Sequence, residues 1–236
     1  MVKVIQINLH HSKAASAALL LRLAERGEDV ALIQEPWTHN GKILGLGAKG
    51  YKLLYANCTG NLRSCILAKN HLNIFILTDY SDADTVTTAC ETGETVVWLT
   101  SCYMAHDHVD PPPHKLVHDM VNAAKNQQTP IIIGADANAH HHIWGSSDTN
   151  TRGECILDFL LCNNLVVVNK GTEPTFVVAN RKEVLDITII SATHQQLIEN
   201  WRVSNDCSLS DHRYFEFSFQ GINILAKPFL NRRKTR

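Results

Sequence analysis

The chain has 236 residues, 44% of them hydrophobic and 19% charged, with a formal net charge of −1. That length buries one sizeable apolar core more readily than two, and no apolar run approaches the roughly eighteen residues of a membrane-spanning helix. The near-neutral charge conceals an asymmetry. Lys227, Arg232, Arg233, Lys234 and Arg236 fall in the last ten residues, which hold no acid, leaving 17 basic against 23 acidic side chains in residues 1–226. A polyanionic ligand would therefore have to be met by local positive patches or a metal ion, because the overall field does not attract it. Seven cysteines, odd in number and without a C-x-x-C pair, read as free thiols in a reducing compartment that serve as small buried fillers.

In chain order, Val4–Asn8 reads as a strand, and the start is too short and polar for a secretory signal. Ser12 is placed to cap a helix carrying Ala15, Leu19, Leu20 and Leu23 on one face and closing at Gly27. Val30–Gln34 is a buried strand. Tyr51–Ala56, Ser64–Lys69, Leu72–Leu77, Thr85–Cys90 and Thr95–Met104 lack helical spacing and read as antiparallel strands. After Pro111, Pro112 and Pro113 comes a helix from His114 to Asn126, then a core strand Ile131-Ile132-Ile133, a helix Gly153–Asn163 and a strand Leu165–Asn169. Short strands follow at Thr175–Val178, Val184–Ile190, Asn200–Ser204 and Arg213–Phe219. This order predicts mixed sheets in an α/β sandwich. The pattern stops near Gln220, so residues 1–220 form the expected domain and 221–236 a basic tail or linker.

Several apolar strands end in polar groups that packing does not require. Val4-Ile5-Gln6-Ile7 ends at Asn8, Ala31-Leu32-Ile33-Gln34 at Glu35, and Ile131–Ala135 at Asp136 with Asn138 close behind. Asp186 interrupts an apolar strand, and Ser210-Asp211-His212 precedes another. Taken singly, each acid is an ordinary turn or cap residue. Together, strand ends from distant parts of a chain can converge on one sheet edge. Carboxylate and amide oxygens suit a divalent cation such as Mg²⁺, and a histidine steered by a carboxylate can stabilise or protonate a phosphoryl oxygen.

The segments Gln6-Ile7-Asn8, Ile33-Gln34-Glu35-Pro36, Ser101-Cys102-Tyr103, Gly134-Ala135-Asp136-Ala137-Asn138, Leu185-Asp186 and Ser210-Asp211-His212 resemble the exonuclease-endonuclease-phosphatase superfamily. They appear in its order and span nearly the whole chain. Asn138-Ala139-His140-His141, Trp144-Gly145, Asn150-Thr151-Arg152-Gly153 and Pro174-Thr175-Phe176 are most similar to the endonuclease domains of non-LTR (LINE-type) retrotransposons, relatives of apurinic/apyrimidinic endonucleases. The resemblance implies a four-layer sandwich, with two mixed β-sheets packed face to face and helices on the outer faces. It implies a Mg²⁺-dependent endonuclease, with Mn²⁺ able to substitute, that nicks one strand of double-stranded DNA. The resulting 3′-hydroxyl would prime reverse transcription by a reverse transcriptase domain of the same polyprotein. The expected setting is the nucleus, with a monomeric domain and no membrane.

Position by position, the resemblance makes Glu35 the principal metal ligand, with Asn8 beside it and Asp211 near the metal. Asp136 would activate or orient the attacking water, Asn138 would hold it or a phosphate oxygen, and Tyr103 would bond the scissile phosphate. His212 would stabilise the pentacovalent phosphorus with its ring fixed by Asp186, and Thr175 would contact a phosphate. Arg63, Arg152, Arg181 and Arg213 are candidate DNA contacts, and the loops 57–63 and 179–183 are candidate groove-facing hairpins. Repair enzymes of the superfamily carry an acid two positions after the asparagine matched by Asn8. Here that position is His10, which points to a single metal.

Thirteen histidines invite a zinc reading at His140-His141-His142, but adjacent side chains diverge too far to share one ion. His114 and His118 lack the glutamate of H-E-x-x-H and read as one helical face. The rival functions are a phosphatase of the same superfamily acting on inositol phosphates or lipids, and a domesticated DNA-binding module that does not cut. The first lacks any lipid-specific motif here, and the second would be expected to lose Glu35, Asp136 or His212.

Overall fold

The structure, a computed structural model, describes residues 1–93 and 95–220. The segment 221–236, read above as a tail or linker, lies outside the described residues. The chain opens with strand β1 (Val2–Asn8), helix α1 (Lys13–Arg26) and strand β2 (Val30–Gln34). A small hairpin of β3 (Thr38–His39) and β4 (Lys42–Ile43) leads to β5 (Tyr51–Leu54), β6 (Ser64–Lys69), β7 (Ile74–Ile76), β8 (Thr85–Thr92) and β9 (Thr95–Tyr103). Helix α2 (Lys115–Asn126) precedes β10 (Ile131–Asp136), and α3 (Thr151–Cys162) precedes β11 (Leu165–Val167). A second hairpin, β12 (Phe176–Val178) and β13 (Arg181–Glu183), is followed by β14 (Asp186–Ser191), β15 (Ile198–Val203) and β16 (Phe215–Phe219).

Two six-stranded sheets run β15-β16-β1-β2-β6-β5 and β11-β14-β10-β9-β8-β7. Each is mixed: β1 and β2 pair in parallel, as do β9 and β10, and their other neighbours are antiparallel. Alternation of side chains along each strand separates three apolar layers. Ile5, Ile7, Ala31 and Ile33 face outward against Ala15, Leu19 and Leu23 of α1. Ile131, Ile133 and Ala135 meet Val117 and Met120 of α2 and Ile156 and Phe159 of α3. Val4, Leu32, Leu99, Ile132, Ile190 and Phe217 fill the space between the sheets. The result is the expected four-layer α/β/β/α sandwich.

α1 begins where Ser12 Oγ accepts the Ala15 N–H at 3.1 Å, a cap worth about 1 kcal/mol. It ends at Gly27, whose φ of 68° favours a residue without Cβ. α3 starts earlier than its apolar spacing indicates, because Asn150 caps it by accepting the Gly153 N–H. Gly153 is needed there: a Cβ would stand 1.9 Å from the His140 carbonyl oxygen. Other expectations require correction. His114 precedes α2 and bonds to Thr85 and Asp82, so it shares no helical face with His118. Asp186 opens β14 instead of interrupting it. The seven cysteines are all free, but only Cys65, Cys90 and Cys102 are buried; Cys58, Cys162 and Cys207 are exposed. No helix among the described residues is long and apolar enough to cross a membrane.

Candidate active site

The inter-sheet layer changes character along its length, and this places the site. Reading up the inward-facing positions, Val4 gives way to Gln6 and Asn8, Leu32 to Gln34, and Ile132 to Gly134 and Asp136. Gln34 Nε2 donates to Ser101 Oγ at 2.9 Å and to the Gly134 carbonyl at 3.1 Å, joining the two sheets. Gly134 leaves room for Gln6, whose Oε1 lies 2.3 Å from where a Cβ would stand. Above this polar belt, register aligns Asp136 with Tyr103 on one side and Asp186 on the other.

Here the strand-end residues meet. Asn8 Nδ2 donates to Glu35 Oε2 at 3.0 Å and to Asp136 Oδ2 at 2.7 Å. The Asn8 oxygen accepts the His10 N–H at 2.7 Å, so in this arrangement Asn8 bridges the two acids. To serve as a metal ligand its amide would have to turn over. Glu35 and Asn138 have φ of 44° and 45°, and His10, His11 and Leu209 have φ of 47°, 52° and 54°. Such left-handed non-glycine residues store strain, and they gather around functional sites.

His212 is 6% exposed and Asp186 is fully buried. His212 Nδ1 sits 2.8 Å from Asp186 Oδ2, which leaves Nε2 for the cavity. Burial opposes charge on the ring, but Asp186, with Asp136 and Glu35 beyond it, wins and raises its pKa to about 9. Asp136 is raised as well: burial and the neighbouring Asp186 charge lift it to about 7. Glu35 is also penalised by burial, yet hydrogen bonds from His11, Asn8 and Tyr103 bring it down to about 2. Burial, followed by the charges of Glu35 and Asp136, pushes the Tyr103 hydroxyl up. Three acidities thus coexist within one cluster, the condition under which acid and base roles separate.

Glu35, Tyr103, Asp136, Asn138 and His212 line a cavity of about 380 Å³ that also meets His10, His106, His140, Phe176, Arg181 and Asp211, with Asp186 buried behind His212. The Asp211 carboxylate, 41% exposed, lies 2.9 Å from His10 Nδ1. The Asn138 Nδ2 and Asp186 Oδ1 atoms are buried and make no hydrogen bond among the described residues. Oxygen donors from Glu35, Asp136 and Asp211 form a set suited to a hard divalent cation. Asp136, Asp186 and His212 also bring ligand atoms within 4.8 Å of one another.

The structure redistributes the other expected contacts. Thr175 is fully buried and its Oγ1 accepts the N–H groups of Leu185 and Asp186 at 3.1 and 3.0 Å. It therefore holds Asp186 in place and does not present its hydroxyl to a phosphate. Arg63 is committed to Asp84 and Asp107 and lies 5.3 Å from the Tyr103 ring centroid. Arg152 donates to the carbonyls of Asn138, Met104 and Ala105, clamping the turn after β10 to the end of β9. Arg213 pairs with Glu173. Of the four arginines only Arg181 lines the cavity. His11 and His106 were missed by sequence reasoning. His11 comes three positions after the strand end at Asn8 and lies 3.2 Å from Glu35 Oε1.

Two mixed six-stranded sheets with helices on their outer faces and acids gathered at the strand ends define an apurinic/apyrimidinic endonuclease-like fold. A family model described as endonuclease-reverse transcriptase matches residues 97–216, half of the chain, and the protein belongs to that family. Similarity to the endonuclease domain of TRAS1, a telomere-specific non-LTR retrotransposon, covers 93% of this chain and 98% of that one, at 26% identity and a TM-score of 0.79. An AP endonuclease from Leishmania major shares the fold at 13% identity, with a TM-score of 0.71 over 94% of this chain and 88% of that one. A 115 kDa protein of the type-1 retrotransposable element R1DM of Drosophila melanogaster is 26% identical over 97% of this chain, which spans 22% of that protein's length. The resemblance to non-LTR retrotransposon endonucleases read from the sequence therefore holds in fold as well.

Proposed function

We propose that this domain hydrolyses one phosphodiester bond in one strand of double-stranded DNA, using Mg²⁺ or Mn²⁺, and leaves 3′-hydroxyl and 5′-phosphate ends. The observation that carries this reading is the meeting of Glu35, Asp136 and the Asp186–His212 pair at one open cavity. Glu35 and Asp211 would hold the cation, with Asn8 joining after its amide turns. When bound, the cation supplies Lewis-acid stabilisation of charge on the phosphate. Asp136, poised near neutrality, orients the attacking water and takes its proton. His212, kept protonated by Asp186, donates from Nε2 to a phosphoryl oxygen as negative charge builds there. The Tyr103 hydroxyl and the free Asn138 amide donate to the remaining phosphate oxygens.

Similarity to the R1DM protein and the TRAS1 domain supports a place within a longer polyprotein. There the 3′-hydroxyl would prime synthesis by a reverse transcriptase region, and the work would be done on nuclear DNA. The presence of all three of Glu35, Asp136 and His212 disfavours a module that binds without cutting. The test is nicking of supercoiled plasmid with Mg²⁺ or with EDTA by wild type, Asp136→Ala and His212→Ala. Nicking only by wild type with Mg²⁺ is expected; equal nicking by all three proteins sinks the assignment.

A further inference from the structure

Among the described residues, Arg181 is the only lysine or arginine lining the cavity, against the acids Glu35, Asp136 and Asp211. It stands beside the tip of the β12–β13 hairpin, which pairs with neither large sheet. At the base the hairpin is tied to the fold by the Val177 N–H donating to the Asp211 carbonyl at 2.7 Å. Near the tip, the Arg181 guanidinium lies 5.6 Å from the Phe176 ring centroid and donates from Nη2 to His140 Nε2 at 2.6 Å.

The other nitrogen of His140, Nδ1, hydrogen-bonds Asp148 Oδ1, with Glu183 Oε2 3.9 Å away. A carboxylate only accepts, so Nδ1 carries the proton and Nε2 is left as an acceptor aimed at the arginine. The anchor itself is rigid, because the His140 backbone exchanges hydrogen bonds with the Asn150 cap of α3. Glu183 is itself fixed, its two oxygens accepting from Ser147 and Val184.

Resting on the phosphodiesterase reading above, we propose that His140 is a positioning residue, set in one tautomer by Asp148, that holds Arg181 over the cavity to contact a DNA phosphate. Arg181 supplies a permanent positive charge on the lining itself, where Arg63 and Arg152 are committed to internal partners, and His140 fixes where that charge stands.

The test measures binding of a short DNA duplex in EDTA as a function of salt, alongside plasmid nicking with Mg²⁺. Arg181→Ala is expected to weaken binding about tenfold, as loss of one charged hydrogen bond does, and to make the log–log salt slope shallower by about 0.9. His140→Ala and Asp148→Ala weaken binding in wild type and have no further effect when combined with Arg181→Ala, whereas His140→Gln, which keeps an acceptor, restores binding. Asp148 is mostly exposed, so its variant reads the coupling even if His140→Ala fails to fold. Losses that add fully in the Arg181→Ala background, or an unchanged salt slope for Arg181→Ala, overturn the proposal. Absence of nicking by wild type with intact coupling in binding overturns only the functional reading.

Discussion

The Asn8 amide lies 2.7 Å from the Asp136 carboxylate, although 128 residues separate them in the chain. The same nitrogen reaches Glu35, so a single neutral side chain keeps two acids apart where the sheets meet. Asn8→Ala removes that bridge and is expected to lower nicking about 10- to 100-fold, the usual effect of losing a supporting contact in such a site. Asn8→Asp adds a third carboxylate. Its thermal midpoint in EDTA should fall below that of wild type and recover with Mg²⁺; an unchanged midpoint in EDTA would contradict the bridging role.

The shifts of His212 and Asp136 predict how the metal-free protein responds to pH. His212 is raised from 6.5 to about 9 on folding, so its stabilisation is complete below about 6.5 and is lost as pH rises through about 9. Asp136, raised from 3.8 to about 7, also binds its proton more tightly when folded and acts in the same direction. Urea denaturation in EDTA should show stability declining from about pH 4, where unfolded Asp136 begins to ionise, to about pH 9. Asp186→Asn should flatten the upper part of that decline. A wild-type profile that is level over this range would refute the coupling.

Arg63 offers a contrast with Arg181. Its guanidinium is held by Asp84 and Asp107 and packs on Tyr103. Arg63→Ala leaves the buried Asp84 short of a partner, which should cost about 3 kcal/mol of stability. The variant should lower nicking through Tyr103 while leaving the salt slope of DNA binding unchanged, since no phosphate contact is lost. A slope shallower by about one would return Arg63 to the DNA interface.

Gly134 and Gln6 should behave as a pair. A Cβ at position 134 would collide with Gln6 Oε1 and approach Leu32 Cδ1 to 2.7 Å. Gly134→Ala is expected to destabilise by about 1–3 kcal/mol through overpacking. Adding Gln6→Ala opens the space and should recover a large part of that loss, as measured by chemical denaturation. Additive losses would show that the clash lies elsewhere.

The strands and helices were largely legible from the placing of apolar residues: Ala15, Leu19 and Leu23 announce α1, and the short apolar runs of β1 and β10 announce buried strands. The β3–β4 hairpin was not legible, since two-residue strands at Thr38–His39 and Lys42–Ile43 carry no period. α3 was read too short because its first turn is set by the Asn150 cap and not by apolar spacing. Among the site residues, those at the ends of apolar runs stood out, because a polar group there has no packing reason. Thr175 and Arg63 were misplaced for the opposite cause: each is polar for a local partner, Thr175 for the Leu185 and Asp186 amides and Arg63 for Asp84, and a motif does not record which way a side chain turns.

The sequence by itself determined the layered α/β architecture, the family, and the set Asn8, Glu35, Asp136, Asp186 and His212, since apolar periodicity and the polar interruptions of it are local properties of the chain. Tertiary structure alone decided which groups face one another. It made Asn8 a bridge, raised His212 and Asp136 above their ordinary pKa values while lowering Glu35, committed Arg63 and Arg152 to internal partners, and left Arg181 at the cavity under the hold of His140. Hydrogen bonds and charge coupling act over a few ångströms, and only folding brings residues from the two sheets to that range.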